Sequence, residues 1–314
     1  MEPVLSEPVL SEPVLSNPVL RFRPDTVRAV RAMYGLDGPG RMEEVIDQLH
    51  DWVKKQDSIH IKDFSRQFLE NTLLSSKGCV ERARLRLERY SRMRVTMPKF
   101  FEKCDVNTEF QDMHATFSIV VMPKAMADYS RVIVVKYSKE RLKGCALSDL
   151  YKFVTVVAEY MKLHDYFNGV CIVVDYTNFS MLDLITKLNP IELSQASKLF
   201  MDGYGARITG IHMLTQSTLV HVVVPIIKSV LSSKLGGRIR VHRSIESVHE
   251  AVPRELLPEE YGGDEKPTEK LYQDWTSLLG SEQHVAHIRT RRAQDEARRA
   301  AQRAPATGSR PPID

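Results

Sequence analysis

Arg207-Ile208-Thr209-Gly210-Ile211-His212-Met213-Leu214, then Leu219 to Val230, then Ile239-Arg240-Val241-His242, is the stretch that decides the fold. The first segment mixes branched and small residues in a way that suits a buried or half-buried strand. Leu219, Val222, Val223, Ile226, Ile227 and Val230 recur at helical spacing and make one apolar face. The β-branched run Val222-Val223-Val224 and the internal Pro225 act against that helix, so a kink or break is predicted at Pro225. Lys234 and Arg238 follow, and the last segment returns as a strand. On pattern alone this is an α/β crossover packed on its sheet. The same residues would also serve a helix that covers an apolar cavity and touches an anionic membrane.

Upstream, Val132 to Val135 and Gly169 to Asp175 are short continuous apolar runs, as in strands buried on both faces. Leu147, Leu150, Phe153, Val154, Val157, Ala158 and Met161 form a helical stripe between them. Leu193, Ala196, Leu199 and Phe200 form another after the breaker Asn189-Pro190. Alternating strands and helices predict a parallel sheet joined by right-handed crossovers. After the turn cluster Asp37-Gly38-Pro39-Gly40 and up to Met97-Pro98, the apolar residues recur at helical spacing. Val45, Ile46, Leu49, Trp52 and Val53 make one stripe, Phe64, Phe68 and Leu73 a second, and Ala83, Leu87, Tyr90 and Met93 a third. The third carries Arg82, Arg84, Arg86, Arg89 and Arg92 with Glu81 and Glu88, which reads as a solvated face. Residues 2 to 20 repeat Glu-Pro-Val-Leu-Ser, and Pro at every fifth position predicts a disordered, low-complexity tail. After Ser281 the chain is rich in Arg and Ala, then Pro, Gly and Ser, and reads as a frayed helix running into disorder.

The chain has 314 residues, 43% of them hydrophobic, enough for one large domain with a smaller one. A net charge of +4 is too mild to argue for nucleic acid. Cys79, Cys104, Cys145 and Cys171 are scattered, without a C-x-x-C pair, which favours a reduced intracellular protein over a disulfide scaffold or zinc site. No apolar run is long enough for a membrane span. Asn178-Phe179-Ser180 fits a glycosylation sequon but reads as chance without a secretory signal. Gly203-Tyr204-Gly205 starts a dinucleotide fingerprint, yet Ile208 stands where its third glycine belongs. There is no P-loop and no nucleophile elbow. His212 and His242 sit inside strands, where a lone histidine is most often hydrogen-bonded structure, and Asp175 at a strand end most often caps a turn. No catalytic constellation forms, so the chain is expected not to be an enzyme.

Together these segments resemble the CRAL-TRIO family of lipid-binding proteins, in its alpha-tocopherol transfer and cellular retinaldehyde-binding branch. Arg207 to His212 looks like the family's strand ending in Gly-Ile-His. Gly169 to Asp175 with Phe179-Ser180, Ile239 to His242, Leu257-Pro258-Glu259-Glu260-Tyr261-Gly262-Gly263, and Val80 to Tyr90 with Pro98-Lys99-Phe100-Phe101 resemble further family motifs in the same order. The resemblance covers roughly Arg41 to Leu279. It implies an α/β fold: a small N-terminal helical bundle, then a mixed, mainly parallel sheet flanked by helices and enclosing an apolar pocket with a helical gate. The domains expected are a repeat tail and lead-in (1–36), a helical domain (37–103), a lipid-binding domain (104–281) and a basic, disordered tail (282–314).

The implied function is a cytoplasmic, monomeric carrier that binds one lipophile and exchanges it at membranes. A non-transporting lipid sensor or protein-docking module is the alternative. The pocket lining expected on this basis is Phe153, Val157, Ile172, Val174, Phe179, Leu184, Leu193, Ala196 and Ile211. The gate is Leu219, Val222, Val223, Ile226, Ile227 and Val230. Arg207, Lys234 and Arg238 match residues that hold a phosphoinositide head group in the tocopherol branch. Thr209 stands where that branch has a further cation, and Lys228-Ser229 where the family has Lys-Pro. The ligand class stays open among tocopherol, retinoid, carotenoid, sterol and phospholipid. Beyond the lipophile and a phosphatidylinositol phosphate no cofactor or metal is expected, and the other partner is an anionic membrane surface, not nucleic acid.

Overall fold

A computed structural model of the chain describes residues 16–137 and 146–303. Four helices come first: α1 (Thr26–Ala32), α2 (Arg41–Lys55), α3 (Arg66–Ser75) and α4 (Val80–Thr96). They form because each buries an apolar stripe and closes its ends locally. In α2, Val45, Ile46, Leu49 and Val53 turn inward, with Glu43 and Glu44 in the first turn and Lys54 and Lys55 in the last, opposing the helix dipole. The Ser65 side chain caps α3 by accepting from the Phe68 amide.

After α5 (Gln111–His114) come β1 (Phe117–Ala125) and β2 (Ser130–Tyr137), then α6 (Ala146–His164), β3 (Gly169–Asp175), α7 (Met181–Lys187) and α8 (Pro190–Lys198). A π-helical turn at Leu199–Gly203 leads into β4 (Ile208–Leu214). Then follow α9 (Val220–Val230), α10 (Ser233–Gly236), β5 (Ile239–His242), α11 (Ile245–His249), α12 (Thr268–Leu279) and α13 (Glu282–Arg303). The sheet order is β1-β2-β3-β4-β5, with β1 antiparallel to β2 and the other pairs parallel. This is the mixed, mainly parallel sheet expected from the alternating pattern.

The order has a consequence for the site. With strands in sequential order and right-handed crossovers, every connecting helix lies on one face of the sheet. α6, α7, α8 and α9 therefore share a face. Residues alternate across a strand, and on that face Ile133, Ile172, Ile211 and Ile239 stand in register on four adjacent strands. Their exposure is intermediate, so the helices cover this face incompletely. The opposite face carries Val132, Val134, Cys171 and Val173 and is closed by the segment from Ile245 to Tyr261.

Three expectations change. The repeat does not stay free to residue 20. Asn17 caps its own turn by accepting from the Val19 and Leu20 amides, its Nδ2 donates to Tyr160, and Leu20 is buried. Residues 1–15 and Cys145 lie outside the described residues. The tail from 282 is not frayed: α13 runs to Arg303, because His284, Val285, Ile288, Arg291 and Asp295 make a buried stripe through its charged sequence. Pro225 does not break α9, which continues to Val230. Among the described residues no helix is long and apolar enough to cross a membrane.

Candidate functional site

A cavity of about 150 Å³ lies between the incompletely covered sheet face and the crossover helices. Ile133, Val170, Ile172 and Ile208 wall it from the sheet, and Val154, Val157, Ala158 and Met161 from α6. Phe167, Phe200 and Tyr204 close it, the last two from the π-helical turn and the residue after it. The volume is smaller than the roughly 300–1,000 Å³ usual for ligand pockets.

Five polar side chains with free donors or acceptors to account for also reach the lining: Asn71, Ser75, Lys162, Asn168 and Arg207. Asn71 donates to the carbonyls of Lys162 and Asp165, both at 2.9 Å. Ser75 donates to the Thr72 carbonyl. Asn168 Oδ1 accepts from Tyr34 at 2.5 Å and from Arg207 Nη1 at 2.8 Å. Lys162 Nζ donates to Thr72 Oγ1 at 3.1 Å. Burial, reinforced by the Arg86 charge, pulls the Lys162 ammonium down to about 7 against a smaller opposing pull from Glu159.

A second cleft of about 320 Å³ adjoins the cavity and shares Ser75, Gly205, Ala206 and Arg207 with it. Lys77, Arg86, Arg207, Lys234 and Arg238 line it, with Asp202 as its one carboxylate. Gly205 has φ +76°, and a Cβ there would meet Arg86 Nη1 at 1.7 Å. The absent side chain is what lets the guanidinium lie across the backbone. Among the described residues Arg86 Nη1 is buried without a hydrogen-bond partner. Arg238 is held at the cleft by donating to the Ile208 carbonyl.

Next to the cavity, Tyr204 donates to Glu159 Oε1 at 2.6 Å, and the same oxygen accepts from Tyr90 and Arg94, each at 2.6 Å. Arg94 Nε reaches both Asp295 oxygens, and Asp295 also meets His60 Nε2 at 2.7 Å. Burial acts to raise the Glu159 carboxyl, but Arg94, His287 and Tyr204 outweigh it and hold it well below the usual carboxylate range. This cluster ties α4, α6 and α13 together beside the cavity.

The expected site residues divide. Arg207, Lys234 and Arg238 come together in the second cleft. Val157 and Ile172 line the cavity, while Val174 and Ile211 lie on the same sheet face beside Ile172. Phe153 does not line it. It sits about 100° round α6 from Val154 and packs on Phe110 and Tyr272. Phe179 packs on Tyr137 in a tilted pair with ring centroids 4.2 Å apart, Leu184 is buried on α7, Ala196 joins the N-terminal helical core, and Leu193 is half-buried.

On α9 the inward residues are Val220 and Val223, with Val224 and Ile227 packed beside them. Of the expected gate, Val223 is buried and Ile226, Ile227 and Val230 are half-buried, but Leu219 is 38% and Val222 48% exposed. His221, Pro225, Lys228 and Ser229 are exposed along one side of the helix, and Val222 stands beside that side rather than opposite it. His212 and His242 meet each other at 2.9 Å on the opposite sheet face, and burial, then the neighbouring His242, lowers His212 to about 4. Asp175 accepts from Thr177 and Tyr261 and so fixes the turn after β3. Among the described residues no group of His, Cys, Asp and Glu could hold a metal ion.

Pattern reading missed Lys162 and Arg86. Lys162 follows Val154 and Ala158 at steps of four, so it continues the cavity-lining stripe. Arg86 was assigned to a solvated face, and only Gly205 opposite explains how it folds inward.

Residues 118–263 match the CRAL/TRIO domain family. An "Alpha-tocopherol transfer protein-like" chain of Homo sapiens is 24% identical over 221 residues, 69% of this chain and 64% of the relative, so the match spans less than two thirds of the relative's length. Clavesin-1 of Xenopus laevis is 34% identical over 133 residues, 39% of this chain and 40% of the relative. Among solved structures, that of Sfh5 superposes with a TM-score of 0.45 at 13% identity, covering 73% of this chain and 90% of that one.

Proposed function

From the match of residues 118–263 to the CRAL/TRIO domain family, we propose that the chain is a carrier that takes one small lipophile into the cavity beside its sheet and exchanges it at membranes. The observation that carries this reading is the apolar cavity adjoining a cleft of five cations through the shared Arg207. An oily guest and an anionic head group would thus be handled side by side. In this reading a helical part (37–103) walls a lipid-binding part (104–281), and the protein works as a cytoplasmic monomer, only transiently at membranes. Its lipophile belongs to the tocopherol, retinoid, carotenoid, sterol or phospholipid classes. The cleft takes a phosphoinositide head group on Arg207, Lys234 and Arg238.

α9 is the gate. Swinging it away exposes Val220, Val223, Val224 and Ile227, which costs on the order of 5–10 kcal/mol in water as an upper bound. A bilayer removes most of that cost by offering another apolar phase, and the outward Leu219 and Val222 already present apolar surface to it. Each cation near an anionic surface adds roughly 1 kcal/mol. The gate therefore opens preferentially where acidic lipid is dense.

Transfer of a fluorescent lipophile between donor and acceptor vesicles tests this. The wild type is expected to accelerate transfer, more so with phosphoinositide in the acceptor. Lys234→Ala with Arg238→Ala is expected to weaken that preference by roughly 30-fold in vesicle affinity. A variant indistinguishable from wild type removes the head-group assignment. A folded protein that neither carries nor moves any lipophile removes the carrier. The small cavity volume favours one other reading, a sensor or docking module that binds lipid without transferring it. Binding without acceleration would support that reading.

A further inference from the structure

Lys162 stands in the last turn of α6 and is only 5% exposed. Its ammonium has three donors, and among the described residues its one acceptor is Thr72 Oγ1. The face of Phe68 lies 5.3 Å away and adds a weak cation–π contact. The cavity it lines contains a second cation, Arg207, and no Asp or Glu. Arg86 from α4 adds positive charge. Glu159, one turn back on α6, already receives Tyr90, Arg94 and Tyr204 on Oε1.

Buried Arg131 shows how this chain treats a cation that serves structure alone. Its Nε and Nη2 meet Asp165, and its Nη1 donates to the carbonyls of Arg21 and Pro123. Nothing comparable surrounds Lys162. A buried charge without a counter-charge is costly, and this one faces an apolar hollow that a guest can enter.

We propose that the cavity is built for a lipophile ending in a carboxylate, whose oxygens accept from Lys162 Nζ while its first carbons lie against Ile172 and Val157. The proposal rests on the carrier reading and narrows its ligand class. A cavity of about 150 Å³ holds about one benzene ring, so it takes the acid end. The rest of the guest continues along the sheet face past Ile211. A neutral alcohol or ester could accept one hydrogen bond but would leave the charge unbalanced. A phosphate has the separate five-cation cleft.

The test uses the full chain with a fluorescent polyene fatty acid and its methyl ester, titrated separately. The acid is expected to bind wild type roughly 10- to 100-fold more tightly than the ester, the range for a hydrogen bond to a charged group. Lys162→Met should bring the two within about twofold, because the acid loses a charged donor and the ester at most one hydrogen bond to a neutral acceptor. Methionine fills the same space without a charge, and an unfolding curve confirms that the variant is folded. Ester and acid binding wild type equally, or Lys162→Met keeping the preference, would overturn the head-group inference and leave the carrier standing. Failure of both probes to bind folded wild type would overturn inference and carrier together.

Discussion

Glu159 and Lys162 stand three residues apart on α6, both buried, and their surroundings are opposite. One oxygen of Glu159 takes donors from Tyr90, Arg94 and Tyr204, and Arg94 passes the chain of contacts to Asp295 on α13. Lys162 has Thr72. A buried charge that brings its own partners is a clamp, even though Glu159 Oε2 has no hydrogen-bond partner among the described residues and stands 3.8 Å from His287 Nε2. One that lacks them leaves a mismatch for a guest to resolve. The same helix thus holds the N- and C-terminal helices together at one turn and offers an unbalanced cation to the cavity at the next. Tyr204 links the two, since it lines the cavity and donates into the clamp.

The sharpest way to break this contrast is Arg94→Ala. It strands Glu159 and Asp295, both about 1% exposed, without their cation. Removing one member of a buried ion cluster costs about 3–5 kcal/mol. Urea unfolding should show the largest loss of any single change considered for this region, and α13 should become protease-sensitive first. If Arg94→Ala unfolds near wild type, the cluster is not a clamp.

Lys162→Met should act with the opposite sign. In the guest-free protein it removes an unbalanced charge and is expected to stabilise by about 1–3 kcal/mol near pH 6. The pH dependence follows from Lys162 being lowered to about 7 in the folded state against about 10.4 unfolded. Between those values the unfolded chain binds more protons, so wild-type stability rises with pH. The deficit of wild type against Lys162→Met is therefore full below pH 7, shrinks upward and vanishes above about pH 10. The charges that face Lys162 are Arg86 on α4, Glu159 on α6 and Arg207 before β4. Paired urea curves at pH 6, 8 and 9.5 measure the difference. A gap that is constant with pH means the ammonium is not held in an apolar place.

The sheet was legible because its strands carry continuous branched runs, Val132 to Val135 and Val170 to Val174, between helical stripes. Of the cleft's five cations, Arg207, Lys234 and Arg238 were expected from the family resemblance, while Lys77 and Arg86 carried no signal of their own. The phase of α9 was legible but misassigned: His221, Lys228 and Ser229 fall at i, i+7 and i+8 and mark the exposed side, whereas the stripe begun at Leu219 and Val222 is offset from the buried side that Val220 and Val223 mark. Arg94 and Asp295 were hidden inside charge-rich runs, where a buried ion and a solvated one look alike. In both cases the signal is position on a stripe: Arg94 continues Leu87 and Tyr90, and Asp295 continues Ile288 and Arg291. The α13 stripe makes a docked helix out of what composition alone describes as a tail.

The smallest expected effect is the most discriminating for Lys162. Thr72→Val keeps the side-chain shape and removes the hydroxyl that accepts from Nζ. That hydroxyl also donates to the Phe68 carbonyl at 2.8 Å, a bond made beside a helical backbone bond and therefore of little consequence. In the wild-type background the change should cost about 1–2 kcal/mol, because the ammonium loses its one acceptor. In the Lys162→Met background the same change should cost close to nothing. The difference between the two, read from four urea curves as a double-mutant cycle, isolates the Thr72–Lys162 contact from everything else the hydroxyl does. Equal costs in both backgrounds would mean that Lys162 finds other acceptors in solution, and the contrast with Glu159 would then be one of degree.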